Sequence, residues 1–190
     1  MIREIVKYKS ENSEILREYA KPVLENNEKT IQVIQDLKDT MSKISNAAGL
    51  AAPQIGESLR IFITKNYKNN TNDFLVFINP TINEVSIQMV KTADGCLSIP
   101  NVSTTTNRHS FINVTYLNEN FKSITEELSG FQSVVFQHEN DHLNGKLFID
   151  LLEEEENKLI NETIDRNLSG EKLLFVNGRV VSLEIRDTIK

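Results

Sequence analysis

The stretch SGFQSVVFQHENDHLNG, residues 129–145, decides how the rest of the chain is read. Its spacing of apolar and polar residues predicts a helix over about 130–143. Ser129 with Gln132 three positions on makes a capping-box pattern at the start, and Gly145 suits the left-handed residue after the end. On that helix, positions 138 and 142 lie one turn apart, so His138 and His142 can turn both imidazoles toward one ion. Glu139 falls beside such an ion rather than on it, which suits a base that takes a proton from water. The bland alternative is a polar decoration of an exposed helix. Val134, Val135, Phe136 and Leu143 argue for a buried one instead, and buried imidazoles and carboxylates need partners.

Two protein ligands leave a metal site incomplete, since catalytic sites usually hold three and keep one position for water. Cys96 is the candidate third ligand. It follows Gly95 at the end of an expected strand, and a thiolate binds iron(II), nickel or zinc well. On its own, DGCLS (94–98) would read better as an inert buried cysteine.

Working outward, the 190 residues with 39% hydrophobic content suit one compact domain. With 21 basic and 27 acidic residues the net charge is −6, and no basic run could track a phosphate backbone, so nucleic acid is not an expected ligand. One cysteine excludes an internal disulfide, and the opening MIREIVKYKS lacks the apolar segment of a secretory signal. A cytoplasmic location is the expectation. No apolar stretch approaches the roughly 20 residues that cross a bilayer, so no membrane partner is expected.

Before the central helix, SENSEILREYAKPV predicts a short helical turn stopped at Pro22, and Ile31, Ile34, Leu37, Met41 and Ile44 predict an amphipathic helix over about 28–44 with Asn27 as its N-cap. NAAGLAAPQIG reads as a loop, resisting both periodicities. LRIFITK and DFLVFINP read as strands joined by the turn NYKNNTN, and EVSIQMVKTADGCLSIP as a further strand. SFINVTYLN and FKSITEEL flank Glu119-Asn120, positioned as a two-residue hairpin turn. After the central helix, FIDLLEEEENKLINETIDRNL reads as a helix with an acidic solvated face, and KLLFVNGRVVSLEI as a hairpin about Asn177-Gly178. Together these predict an α+β fold: antiparallel strands around a central helix carrying H-E-x-x-H, then a C-terminal helix and β-hairpin.

The three segments AAGLAAPQ (47–54), DGCLS (94–98) and QHENDHLNG (137–145), in this order, resemble the signature motifs of the peptide deformylase family. ILREYAKPV, FINP and GKLFID are similar to that family too, so the resemblance runs from about residue 5 to 152, with the helix and hairpin of about 151–187 beyond it. It implies a metal-dependent hydrolase that removes the formyl group from the N-terminal formylmethionine of new polypeptides. By position, it implies one divalent ion on Cys96, His138 and His142, natively Fe2+, with Ni2+, Co2+ or Zn2+ as substitutes. Glu139 would be the base and later the proton donor to the leaving amine, and Gln54 with the backbone N–H of Leu97 would stabilise the oxyanion. Gly49 would lie along the substrate backbone, Ile44, Phe131 and Val134 would form the methionine pocket, and Arg108 would help at the substrate side.

Three positions depart from the family pattern. Ala47 and Asp94 stand where glycine and glutamate are usual, and Ser103 aligns with an arginine that holds the substrate backbone. The family glutamate pairs with an arginine, and Arg108 matches it, so an Asp94–Arg108 pair is expected. The acidic EEEE of the last helix does not match the basic helix that docks bacterial relatives on the ribosome, so contact with the ribosome would be transient at most. Two alternatives stay open. One is a zinc metallopeptidase, although no histidine follows His142 to serve as its usual downstream ligand. The other is a catalytically impaired, metal-binding deformylase-like protein, to which Ala47, Asp94 and Ser103 point.

Overall fold

The computed structural model describes residues 1–67 and 73–182. A 3-10 turn at Ser13–Arg17 precedes helix α1, Glu28–Met41, whose N-cap Asn27 accepts a hydrogen bond from the Thr30 amide. Strands β1 (Gly49–Ala51), β2 (Ile61–Lys65) and β3 (Phe74–Val85) follow, then β4 (Met89–Cys96) and β5 (Ile99–His109). β6 (Phe111–Leu117) and β7 (Ser123–Ser129) lead into α2 (Gly130–Leu143). α3 (Glu154–Leu168), β8 (Leu173–Val176) and β9 (Arg179–Ser182) complete the described chain.

Two sheets form, in the orders β1-β2-β3-β6-β7 and β4-β5-β8-β9. All pairings are antiparallel except β5 with β8. The alternation IFI of β2 explains why the first sheet is covered on both faces. Ile61 and Ile63 join Val33, Ile34, Leu37 and Met41 of α1 in one core cluster, while Phe62 joins Phe136 and Leu143 of α2 in another. Phe62, Phe77 and Phe136 lock α2 to this sheet, with ring centroids 4.8 to 5.2 Å apart. A third cluster gathers Cys96, Ile99, Val102 and Phe175 of the second sheet with Ile160 and Ile164 of α3. Helix α2 is therefore buried, with α1 and the first sheet beyond it, and the expected α+β architecture is present.

Several local expectations need correction. α1 ends at Met41, not at 44, and Ile31 is exposed, so the buried stripe runs through Val33, Ile34, Leu37 and Met41. The N-terminal turn stops at Arg17, short of Pro22. The stretch read as a loop contains β1, whose Gly49 pairs with Thr64, followed by a 3-10 turn at Ala52–Ile55; three residues are too few to show a period. β5 was not expected at all, because its threonines and asparagines do not look like a buried strand; the hydroxyls of Thr104 and Thr106 find partners instead. Ser129 makes no capping bond through its side chain, since it is still paired with Phe111 at the end of β7. The turn after β6 spans Asn118–Lys122 rather than two residues, closed by the Asn118 side chain accepting from the amides of Asn120 and Lys122. The C-terminal helix begins at Glu154 after a separate 3-10 turn, Phe148–Leu151. Gly145 has the expected left-handed φ of 69°, and the Asn177-Gly178 turn has positive φ at both residues. Residues 68–72 of the NYKNNTN turn, and the end of the last hairpin from residue 183, lie outside the described residues.

Candidate active site

The ligand set comes from two elements. α2 presents His138 and His142 one turn apart, with ring centroids 5.1 Å from each other. β4 alternates its side chains, so Asp94 and Cys96 turn inward toward α2 while Ala93 and Gly95 face outward. Cys96 Sγ thereby comes within 3.3 Å of His142 Nε2, and one donor atom each from Cys96, His138 and His142 lies within 4.8 Å of the others. His142 is 1% and Cys96 9% exposed, too buried for such groups to be surface decoration. Two further donors aim at the sulfur, the Ser98 amide and Gln54 Nε2, each at 3.4 Å. The Gln54 carboxamide is oriented by the Ala51 amide, which donates to its Oε1 at 2.9 Å.

Asp94 holds the other imidazole. Its Oδ1 is 2.8 Å from His138 Nδ1, leaving Nε2 to face the sulfur and the second histidine. Its Oδ2 accepts from Arg108 Nη2 at 2.9 Å and Thr106 Oγ1 at 2.9 Å. Arg108 reaches back to α2 through Nη1, 2.7 Å from Asp141 Oδ2. The expected Asp94–Arg108 pair exists, and Asp141 closes it.

These contacts set the protonation of the cluster. Burial alone would push the Asp94 carboxyl up, but His138 and Arg108 outweigh it and hold it well below the usual range. Burial would likewise raise the Cys96 thiol, yet the two imidazoles bring it well below its ordinary value, toward the thiolate that binds a metal. His138 is moved well above its ordinary value, because Asp94 and Cys96 overcome burial. Burial pushes the Glu139 carboxyl up to about 7, only partly offset by the two histidines. Its Oε2 is buried and has no hydrogen-bond partner among the described residues.

A cavity of about 280 Å³ opens on this cluster, lined by Gly49, Gln54, Leu97, Phe131, Val134, His138 and Glu139 among others. Its walls are edge strands of two different sheets, β1 and β4. Gly49 is required there for a reason absent from its sequence context. A Cβ at that position would sit 2.5 Å from Glu139 Oε1, so the missing side chain is the seat of the carboxylate.

Of the residues expected at the site, Cys96, His138, His142, Glu139, Gln54, Leu97, Gly49, Phe131 and Val134 are brought together. Two are not. Ile44 lies past the end of α1 and packs on the first core cluster, and it is not among the residues that line the cavity. Arg108 is 3% exposed and spent on Asp94 and Asp141, so it supports the site from behind rather than meeting substrate. Asp141 was missed, although a charge three residues after His138 on a buried helix demanded a partner. Thr106, Ser98 and Lys7, whose Nζ donates to the Leu97 carbonyl at 2.7 Å, carried no signal.

Two imidazoles one helical turn apart, a thiolate from a neighbouring strand and a buried carboxylate beside a cavity define a metal-dependent hydrolase. The donor set fits a divalent ion, since three ligand atoms converge and the second histidine nitrogen is held by a carboxylate. The polypeptide deformylase family model matches residues 2–158, and the chain belongs to the peptide deformylase family. A peptide deformylase of Pseudothermotoga lettingae is 42% identical over 138 residues, 73% of this chain and 77% of that one. One from Chlorobium phaeovibrioides is 36% identical over 90% of this chain and 88% of its own length. Among solved structures, a peptide deformylase from Legionella pneumophila superposes with a TM-score of 0.78 at 32% identity, covering 89% of this chain and 96% of that one. A Plasmodium falciparum peptide deformylase in complex with an inhibitor gives 0.76 at 32% identity, covering 87% and 99%. The enzyme is a peptide deformylase.

Proposed function

We propose that the chain, folded as one catalytic domain, hydrolyses the formyl group from formyl-Met at the N-terminus of nascent polypeptides through the residues around the 280 Å³ cavity. The observation that carries this reading is the convergence of Cys96, His138 and His142 beside the Glu139 carboxylate, whose Oε2 has no hydrogen-bond partner among the described residues. Those three residues hold one divalent ion, natively Fe2+, with Ni2+, Co2+ or Zn2+ able to replace it. The ion, when bound, supplies Lewis acidity and a water of lowered pKa.

The remaining work falls to the chain. Glu139 takes the proton from the attacking water and later delivers it to the leaving amine nitrogen as the carbon–nitrogen bond breaks, giving formate and a free amino terminus. Burial raises this carboxyl toward the range in which it can both take and give a proton, and a divalent ion held beside it would favour the ionised form that accepts the proton first. Gln54 Nε2 and the Leu97 amide donate to the oxygen that gains charge at the formyl carbon. Phe131 and Val134 accept the methionine side chain, and the open edges of β1 and β4 flank its backbone. The reactive thiolate fits a reducing cytoplasm, where transient contact with ribosomes would supply the substrate.

The impaired alternative gains nothing here. Asp94, though shorter than glutamate, still reaches both His138 and Arg108, and Ala47 is one of the residues lining the cavity. The test is an assay of anaerobically purified, iron-loaded protein on a formyl-Met tripeptide and its acetyl counterpart. Release of formate with no matching release of acetate is expected. Inertness toward the formyl peptide at full metal occupancy would overturn the reading.

A further inference from the structure

The second carboxylate oxygen of Asp94 accepts three hydrogen bonds. Arg108 supplies two of them, Nη2 at 2.9 Å and Nε at 3.2 Å, and Thr106 Oγ1 the third at 2.9 Å. Among the described residues, the first oxygen faces His138 Nδ1 alone. All the groups are secluded: Thr106 is 2%, Arg108 3% and Asp94 8% exposed. A short aspartate leaves its carboxylate one bond from the backbone Cβ, so its rotation about that bond decides whether the first oxygen points at the imidazole.

Arg108 cannot set that rotation unaided. Both of its bonds to Asp94 converge on a single oxygen, while its third nitrogen is drawn the other way by Asp141 on α2. Thr106 approaches from a different place. It is paired with Thr92, while Asp94 is paired with Thr104, so the hydroxyl comes diagonally across the β4–β5 ladder. Two directions of restraint on one oxygen fix the plane of the carboxylate.

We infer that Thr106 is a positioning residue for the metal centre, its hydroxyl orienting Asp94 so that Asp94 holds the His138 ring with Nε2 toward the ion. The inference rests on the proposed role of His138 as a ligand. Thr106 touches neither substrate nor metal donors, and its effect passes entirely through Asp94. Groups that orient a ligating histidine from behind typically change metal affinity or activity by about 10- to 100-fold when removed.

The same strand contains a matched control. Thr104 lies two residues earlier on the same inward face, is equally buried at 2%, and gives its hydroxyl to Glu156 of α3 instead of Asp94. Threonine-to-valine changes at the two positions remove the same hydroxyl at nearly constant shape. The nickel(II) dissociation constant of each full-length variant would be measured by competition with a chromogenic chelator, beside melting curves of the metal-free proteins.

Thr106→Val should weaken nickel binding by about tenfold, Thr106→Ser should restore it, and Thr104→Val should leave it within about twofold of the parent. Equal dissociation constants for Thr106→Val and the parent would overturn the inference, as would equal weakening by Thr104→Val. If Thr106→Val fails to fold, the serine and alanine variants carry the comparison, with serine near the parent and alanine about tenfold weaker. Asp94→Asn separates the two levels. Weakening there without weakening in Thr106→Val sinks the role of Thr106 alone, unchanged affinity in Asp94→Asn sinks the route through Asp94, and unchanged affinity in His138→Ala sinks the ligand role of His138 on which both rest.

Discussion

Replacing Gly49 by alanine tests the geometry of the base more sharply than replacing the base itself. Gly49 has an ordinary φ and pairs with Thr64 in a short antiparallel ladder, so an alanine backbone would fit without strain. Only the added methyl matters. It would meet Glu139 Oε1 at 2.5 Å, Cγ at 2.7 Å and Cδ at 2.8 Å. Comfortable heavy-atom contact begins at about 3.5 Å, so the shortfall from 2.5 Å is about 1 Å. Glu139 is 4% exposed and cannot swing into solvent, and β1 is held by β2, so the carboxylate must shift within the site. A displacement of about 1 Å in a catalytic group can cost about 100-fold in rate. We expect kcat for a formyl-Met peptide to fall by about that factor while metal content, set by Cys96, His138 and His142, stays near one per chain. Steady-state kinetics with metal analysis on the same preparations would decide it. A kcat within about threefold of the parent at full occupancy would refute the reasoning, because it would mean that the carboxylate does not work from this seat.

Three other outcomes follow from the site. Glu139→Gln should keep its metal and lose about 100-fold or more in turnover, since an amide of nearly the same shape cannot accept a proton; parental turnover would remove Glu139 from the base role. Cys96→Ser should lower metal affinity or activity strongly, and unchanged values for both would exclude the sulfur as a ligand. Ser103 is exposed and paired opposite Gly95 of the cavity wall, so Ser103→Arg should lower KM for short formyl-Met peptides by about tenfold if the new bonds are worth roughly 1.5 kcal/mol, with kcat little changed. An unchanged or higher KM would show that this position is not a substrate contact.

Much of the site was legible because its chemistry is local in sequence. His138, Glu139 and His142 lie within one helical turn and a half, so the period of α2 alone places all three. Cys96 stood out as a candidate because two imidazoles need a third ligand, but only the resemblance of three motifs taken together set it above an inert buried cysteine. What stayed hidden depends on pairing between strands. β5 is rich in threonine and asparagine, so its burial is invisible until β4 is laid beside it and Asp94 meets Thr106 and Arg108. Arg108 was misplaced for the same reason: an arginine near the site reads as a substrate contact unless Asp141 is known to face it from α2. Gly49 was assigned to backbone contact with substrate, and its clearance for Glu139 could be found only with the helix and β1 in register.

The buried ionic group behind the ligands is not explained by stability. Asp94, Arg108, Asp141 and His138 join β4, β5 and α2 through contacts of 2.7 to 2.9 Å, largely out of water. Taking such charges from solvent costs several kcal/mol per ion, on the order of what their attraction returns, and well-packed apolar residues often serve stability as well or better. The surrounding core could have been made apolar at little cost, as the Phe62, Phe77 and Phe136 contacts on the other side of the same helix demonstrate. What apolar residues cannot supply is direction. A hydrophobic neighbour would leave the His138 ring free in both its rotation and its tautomer, whereas a carboxylate held from two sides dictates both. The polar group thus sits where orientation is needed, on the face of α2 that carries the ligands, and the aromatic group sits where only burial is needed, on the face that meets the sheet.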